Sequence, residues 1–137
     1  MSLVVDNSIA LTWCFEDERT PATVALLEKV ARAGAVAPWL WPLEALNALL
    51  MAERRGRLDA ERRHRLMAFL YDLPITLDPD GLGRVWTATV GLAEQHRLTV
   101  YDAVYLELAQ RRNLPLTTLD ADLRAAASAL GIRLLGT

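Results

Sequence analysis

Four carboxylates stand out by where they fall along the chain: Asp6, Glu44, Asp102 and Asp120. Asp6 ends the apolar run Leu3-Val4-Val5, a pattern that predicts a short buried parallel strand delivering an acid at its C-terminal end. Asp120 follows a second run of strand character, Leu116-Thr117-Thr118. Glu44 falls in the first turn of a helix begun at Pro42, and Asp102 opens another helical stretch. Acids gathered at one end of a sheet repel one another unless a cation joins them. Oxygen-only donors suit Mg²⁺ or Mn²⁺. Such an ion can lower the pKa of a bound water and clamp the attacking and leaving oxygens of a phosphodiester. Asp122 could approach the same ion or could cap the final helix, although the Thr-x-Asp pattern after the strand favours Asp120.

The elements that must position these acids can be read from periodicity. Thr20 as cap and Pro21 in the first turn start a helix in which Val24, Leu27, Val30 and Ala31 recur at helical spacing until Gly34. Ala35-Val36-Ala37 predicts a second strand, and the helix from Pro42 runs through Leu46, Leu49 and Leu50 to Gly56. A helix from Asp59 to Pro74, a strand at Ile75-Thr76-Leu77, and helices at 82–97 and 102–112 follow, the last with Val104, Leu108 and Ala109 on one side. After Leu116-Thr117-Thr118 come a helix from about Ala121 to Leu130, stopped by Gly131, and a strand at Ile132-Arg133-Leu134-Leu135. Short strands alternating with helices of this length imply an α/β fold, a three-layer α/β/α sandwich with a mainly parallel central sheet of about five short strands. In such sheets ligands bind beyond the C-terminal ends of the strands, where strand order reverses.

At 137 residues and 53% hydrophobic content the chain can bury one substantial core, so residues 1–137 are expected to form a single domain. The start, Met-Ser-Leu-Val-Val-Asp, resembles neither a signal peptide nor an anchor, and the most apolar stretch, Ala33 to Ala52, is interrupted by Pro38, Pro42, Glu44 and Asn47. No membrane association and a cytoplasmic location are the expectation. Cys14 is the single cysteine, which excludes an internal disulfide and a thiolate-rich metal site, and it reads as a buried thiol. His64 and His96 are too few for a histidine-dominated zinc site. A net charge of −2 argues against a protein that coats nucleic acid nonspecifically. Yet Arg54, Arg55, Arg57, Arg62, Arg63 and Arg65 make one region locally basic, and arginine grips phosphate with paired hydrogen bonds. Arg54, Arg55 and Arg57, just beyond the Glu44 helix, could track an RNA backbone, or they could simply be a charged helix face.

The segments Val5-Asp6-Asn7-Ser8, Trp41-Pro42-Leu43-Glu44-Ala45-Leu46-Asn47, Val100-Tyr101-Asp102-Ala103-Val104-Tyr105-Leu106 and Thr118-Leu119-Asp120-Ala121-Asp122-Leu123 resemble, in order and spacing, the motifs of PIN domains. The likeness is strongest to VapC toxins of toxin-antitoxin pairs and covers essentially the whole chain. The resemblance implies a Mg²⁺- or Mn²⁺-dependent endoribonuclease that is a homodimer and is restrained by a VapB-like antitoxin. Carried over by position, Asp6, Glu44, Asp102 and Asp120 match the family's acidic quartet. Ser8 and Thr118 match the hydroxyl residues that accompany the first and last acids, and Asn47, three residues after Glu44 and on the same helical face, matches a frequent polar position.

Competing chemistries are less well served. Haloacid-dehalogenase phosphatases place a second Asp two residues after the first, where this chain has Ser8, and no Gly-rich phosphate loop with Lys-Ser or Lys-Thr occurs. A PIN-like scaffold that binds RNA or protein without cutting is the alternative, though its mark would be a missing acid. Trp39 and Trp41 read as packing or dimer-seam residues ahead of base stacking. Together with Leu49, Leu50 and Met51 they offer more apolar surface than a short sheet is expected to cover, which points to a two-fold dimer.

Overall fold

The run Leu3-Val4-Val5 becomes a very short strand, β1 (Val4–Val5), whose residues are wholly buried. It is the pivot of the fold. In a computed structural model, which describes residues 2–136, β1 lies between β2 (Ala35–Pro38) and β4 (Leu116–Thr117), with β3 (Ile75–Asp78) outside β2, giving the order β3-β2-β1-β4. All pairs are parallel: Val4 stands against Val36 and Leu116, and Pro38 against Asp78. The chain therefore builds outward from β1 to β3 and then returns to lay β4 on the other side of β1. The direction of winding reverses between β1 and β4, which opens a crevice at their C-terminal ends.

Local chemistry sets the helix boundaries. Thr20 and Thr23 form a reciprocal capping box at α2 (Pro21–Ala33), and Gly34, at φ 76°, ends it. Asp59 accepts the Arg62 backbone N–H to cap α4 (Ala60–Asp72). α3 (Trp41–Arg54) starts with Pro42 in its first turn. α1 (Asn7–Thr12) and α4 both pack on α3, while α5 (Val90–His96) packs on α6 (Val100–Arg112), which lies against β1, β2 and β4. α7 (Ala121–Ala129) packs beside α6.

Four expectations are corrected. The sheet has four strands, because Ile132–Leu135 contributes only a single parallel bridge, Leu116 to Leu134. Gly131 and Gly136, both at positive φ, turn the backbone on either side of it, so no longer ladder can form. The segment 82–97 is not one α-helix: a 3₁₀ turn at Gly81–Arg84 and a π turn at Val85–Thr89 precede α5. Glycines and β-branched residues there weaken regular α-helix. α6 begins two residues early, at Val100, and is buried on all sides from Ala103 to Ala109 where a one-sided stripe was expected. Lastly, Trp41 and Leu49 belong to the core of this subunit, while Leu43, Leu46, Tyr71 and Trp86 are among the exposed apolar side chains. Among the described residues no helix is long and apolar enough to cross a membrane.

Candidate active site

Asp6 leaves β1 at the crevice and is 6% exposed. Its Oδ2 accepts two short hydrogen bonds, from Ser8 Oγ and from Thr118 Oγ1, each 2.7 Å. Both hydroxyls are themselves aimed by backbone: Ser8 Oγ accepts from Leu119 N at 3.0 Å, and Thr118 Oγ1 from Asp120 N at 3.0 Å. A small network thus stitches the end of β1 to the end of β4, and it fixes one oxygen of Asp6 while the other is not engaged by these hydroxyls.

The remaining acids arrive on helices. Glu44, half-buried in the first turn of α3, accepts a 2.6 Å hydrogen bond on Oε1 from the hydroxyl of Tyr105, which is wholly buried on α6. Asp102 lies in the first turn of α6, where its backbone N–H donates to the capping Thr99 hydroxyl. Asp120 caps α7 by accepting the Leu123 N–H at 2.8 Å, so the capping role belongs to Asp120 and not to Asp122. Asp122 is exposed in that first turn. Arg124 braces the same corner by donating to the Thr118 carbonyl.

Charge couples the four acids. Burial raises the Asp6 carboxyl above its ordinary value, against the hydrogen bonds from Ser8 and Thr118. Burial also raises Glu44, opposed by Tyr105 and reinforced by the charges of Asp6 and Asp102. Asp102 is raised by burial and then by Asp120 and Asp6. Glu44 thus feels the charges of Asp6 and Asp102, and Asp102 those of Asp120 and Asp6, so each ionised member makes its neighbour less favourable. Among the described residues no three of these groups stand close enough to enclose a metal ion as they are. A hard cation that keeps several waters needs only one or two carboxylates. The donor set, all oxygen and already self-repelling, fits such a cation.

Beside Glu44 a cleft of about 450 Å³ is lined by Trp39, Leu43, Asn47 and Tyr101 among others. Asn47 is exposed there, one turn beyond Glu44. The arginines lie elsewhere. Arg57 is bound to Asp17 and Glu18 at 3.1 and 2.8 Å and covers the Phe15 ring, which leaves it little freedom to grip phosphate. Arg63 pairs with Glu53, and Arg65 with Glu61. Arg54 and Arg55 are exposed at the far end of α3, about 15 Å along the helix from Glu44. Cys14 is buried, and burial pushes its thiol up to about 11, as an inert core thiol requires. Sequence reasoning passed over Tyr105; its signal was its place three residues after Asp102, on the same face of one helix.

The sequence and the fold have counterparts among known proteins. Ribonuclease VapC3 of Pyrobaculum aerophilum is 31% identical over 135 residues, spanning 95% of this chain and 98% of that protein. The crystal structure of PAE2754 from Pyrobaculum aerophilum superposes with a TM-score of 0.66 at 27% identity, covering 92% of this chain and 84% of that one. FitAcB from Neisseria gonorrhoeae shares the fold at a TM-score of 0.69 with 12% identity, covering 98% and 96% of the two chains. A toxin-antitoxin complex from Klebsiella pneumoniae does so at 0.59 with 18% identity, covering 87% of each. The PIN domain family matches residues 3–129, so nearly the whole chain, all four acids included, lies within the match, and the chain belongs to the PIN domain family.

Proposed function

We propose that this chain is a divalent-metal-dependent endoribonuclease, the toxin of a toxin-antitoxin pair, with residues 1–137 acting as one nuclease unit in the cytoplasm. What supports the reading is the placement of four acids from four separate segments at the end of β1 and the starts of α3, α6 and α7, with charge coupling between Glu44, Asp6, Asp102 and Asp120. The relative named Ribonuclease VapC3 supports the nuclease assignment, and the toxin-antitoxin complex of the same fold supports a protein inhibitor.

Asp6, Glu44, Asp102 and Asp120 would hold Mg²⁺ or Mn²⁺, which when bound supplies a water of lowered pKa as nucleophile and offsets charge on the phosphate. The protein's own part is positioning. Ser8 and Thr118 hold one Asp6 oxygen in place so that the other keeps a constant direction. The N-capping bond fixes Asp120 without engaging its second oxygen. Asp122 and Asn47, at the rim, are placed to meet the RNA strand or its waters, and Arg54 and Arg55 offer guanidinium groups to phosphates further along.

A VapB-like antitoxin would present a cationic side chain to the same acids in place of the metal. Exposed Leu43, Leu46, Tyr71 and Trp86 give a homodimer its apolar surface. The test is cleavage of a single-stranded RNA by purified protein with Mg²⁺ or Mn²⁺ and with EDTA, beside Asp6→Asn. Cleavage that needs metal and falls at least a hundredfold in Asp6→Asn is the expected result. No cleavage with either metal would leave a binding scaffold, and equal cleavage by Asp6→Asn would remove the metal role. Light scattering on the same preparation reads the dimer, and a monomer at tens of micromolar would refute it.

A further inference from the structure

Glu44 reaches the crevice on a flexible side chain, half-exposed, with Asp6 and Asp102 both pushing its charge away. The restraint comes from across the molecule: Tyr105, 0% exposed on α6, donates its hydroxyl to Glu44 Oε1 at 2.6 Å. A buried phenol needs a partner, and the nearest cheap solution in a core helix is a backbone carbonyl. Here the partner is a half-buried carboxylate, and the bond occupies one of its oxygens while leaving the second for another donor or a cation. The same helix carries Asp102 three residues earlier, on the same face. One rigid element therefore sets the position of its own acid and the direction of another helix's acid.

We infer that Tyr105 is a positioning residue: its hydrogen bond holds Glu44 in the crevice against its like-charged neighbours, in the orientation that binds the divalent cation. This role rests on the metal reading given above. It differs from simple packing because Tyr105→Phe keeps the ring and its burial and removes only the oxygen. Outer partners that orient metal-binding carboxylates characteristically change affinity by about ten- to a hundredfold when removed.

The experiment is Mn²⁺ titration by calorimetry of the intact wild-type protein, Tyr105→Phe, Glu44→Gln and the double variant, with melting in EDTA measured alongside. Positioning predicts that Tyr105→Phe weakens Mn²⁺ binding about tenfold or more, that it melts in EDTA close to the wild type, and that adding it to Glu44→Gln causes no further loss. If Glu44→Gln weakens binding and Tyr105→Phe does not, the positioning role is overturned while the metal site stands. A Tyr105→Phe protein that loses stability in EDTA yet binds Mn²⁺ normally assigns Tyr105 to packing alone. If Glu44→Gln itself binds Mn²⁺ as tightly as the wild type, Glu44 is no ligand, and the metal reading at that residue fails together with this one.

Discussion

Asp6, Glu44 and Asp102 sit in surroundings that penalise their charged forms, by burial first and, for Glu44 and Asp102, by the neighbouring acids second. Each carboxyl titrates higher in the folded chain than in the unfolded one. The folded state therefore takes up protons first as pH falls, and metal-free stability rises as pH drops from 7 toward the ordinary carboxylate range near about 4. Asp78 works in the opposite sense. Burial opposes its ionisation, but the hydrogen bonds and charge of Arg111 outweigh that and hold its carboxyl below the ordinary value. Its contribution is complete above about pH 4 and is lost as pH falls through the lowered folded value. Melting in EDTA should therefore pass through a maximum on the acid side of neutrality. Asp6→Asn should flatten the rise and melt at least as high as the wild type at pH 7. A melting temperature that falls steadily from pH 7 downward would contradict this account.

α6 is the element on which the molecule is hung. Its middle is buried on all sides, and near its C-terminal end Arg111 joins Glu107, on the same helix, to Asp78 at the end of β3. Arg111 Nη2 reaches Asp78 Oδ2 at 2.6 Å and Nε reaches Glu107 Oε2 at 2.8 Å, with both acids nearly inaccessible to water. Removing the guanidinium would leave two buried carboxylates without a cation. Arg111→Met is expected to cost about 3–5 kcal/mol in urea unfolding, whereas Arg65→Met, which breaks an exposed pair, should cost under about 1 kcal/mol. A loss at Arg111 as small as that at Arg65 would show that the clasp is not structural. Neither Arg111–Asp78 nor Tyr105–Glu44 was legible in the chain, since these partners lie 33 and 61 residues apart and nothing local links them. What was legible was local: the Thr20 and Asp59 caps, Gly34 as a stop, and the apolar runs that became β1 to β4. α1 escaped notice because six residues, Asn7–Thr12, are too few to display a helical period. The acids were found because strand ends and helix starts are readable positions, while their mutual distances, and the pairing that ties up Arg57, depend on packing.

At the scale of the whole molecule, the candidate site belongs to no single segment: its acids span positions 6 to 120, at the end of β1 and the starts of α3, α6 and α7. That arrangement also aims three helices, α3, α6 and α7, at the crevice by their starting ends, with Glu44 and Asp102 in first turns and Asp120 at a cap. Aligned peptide dipoles give each such end roughly half a positive charge. The backbone thus supplies a standing positive field beneath the carboxylates, which helps the metal-free chain tolerate them. The field outlasts the acids. In a quadruple variant, Asp6→Asn with Glu44→Gln, Asp102→Asn and Asp120→Asn, the crevice should lose most of its repulsion of anions and leave the helix ends to attract them. Inorganic phosphate at constant ionic strength should then raise its melting temperature more than it raises that of the wild type, and an equal response would count against it. On the proposed function, a chain disarmed in this way would lose the capacity to cut and keep a hold on the phosphate backbone, a nuclease turned into a trap for its own substrate.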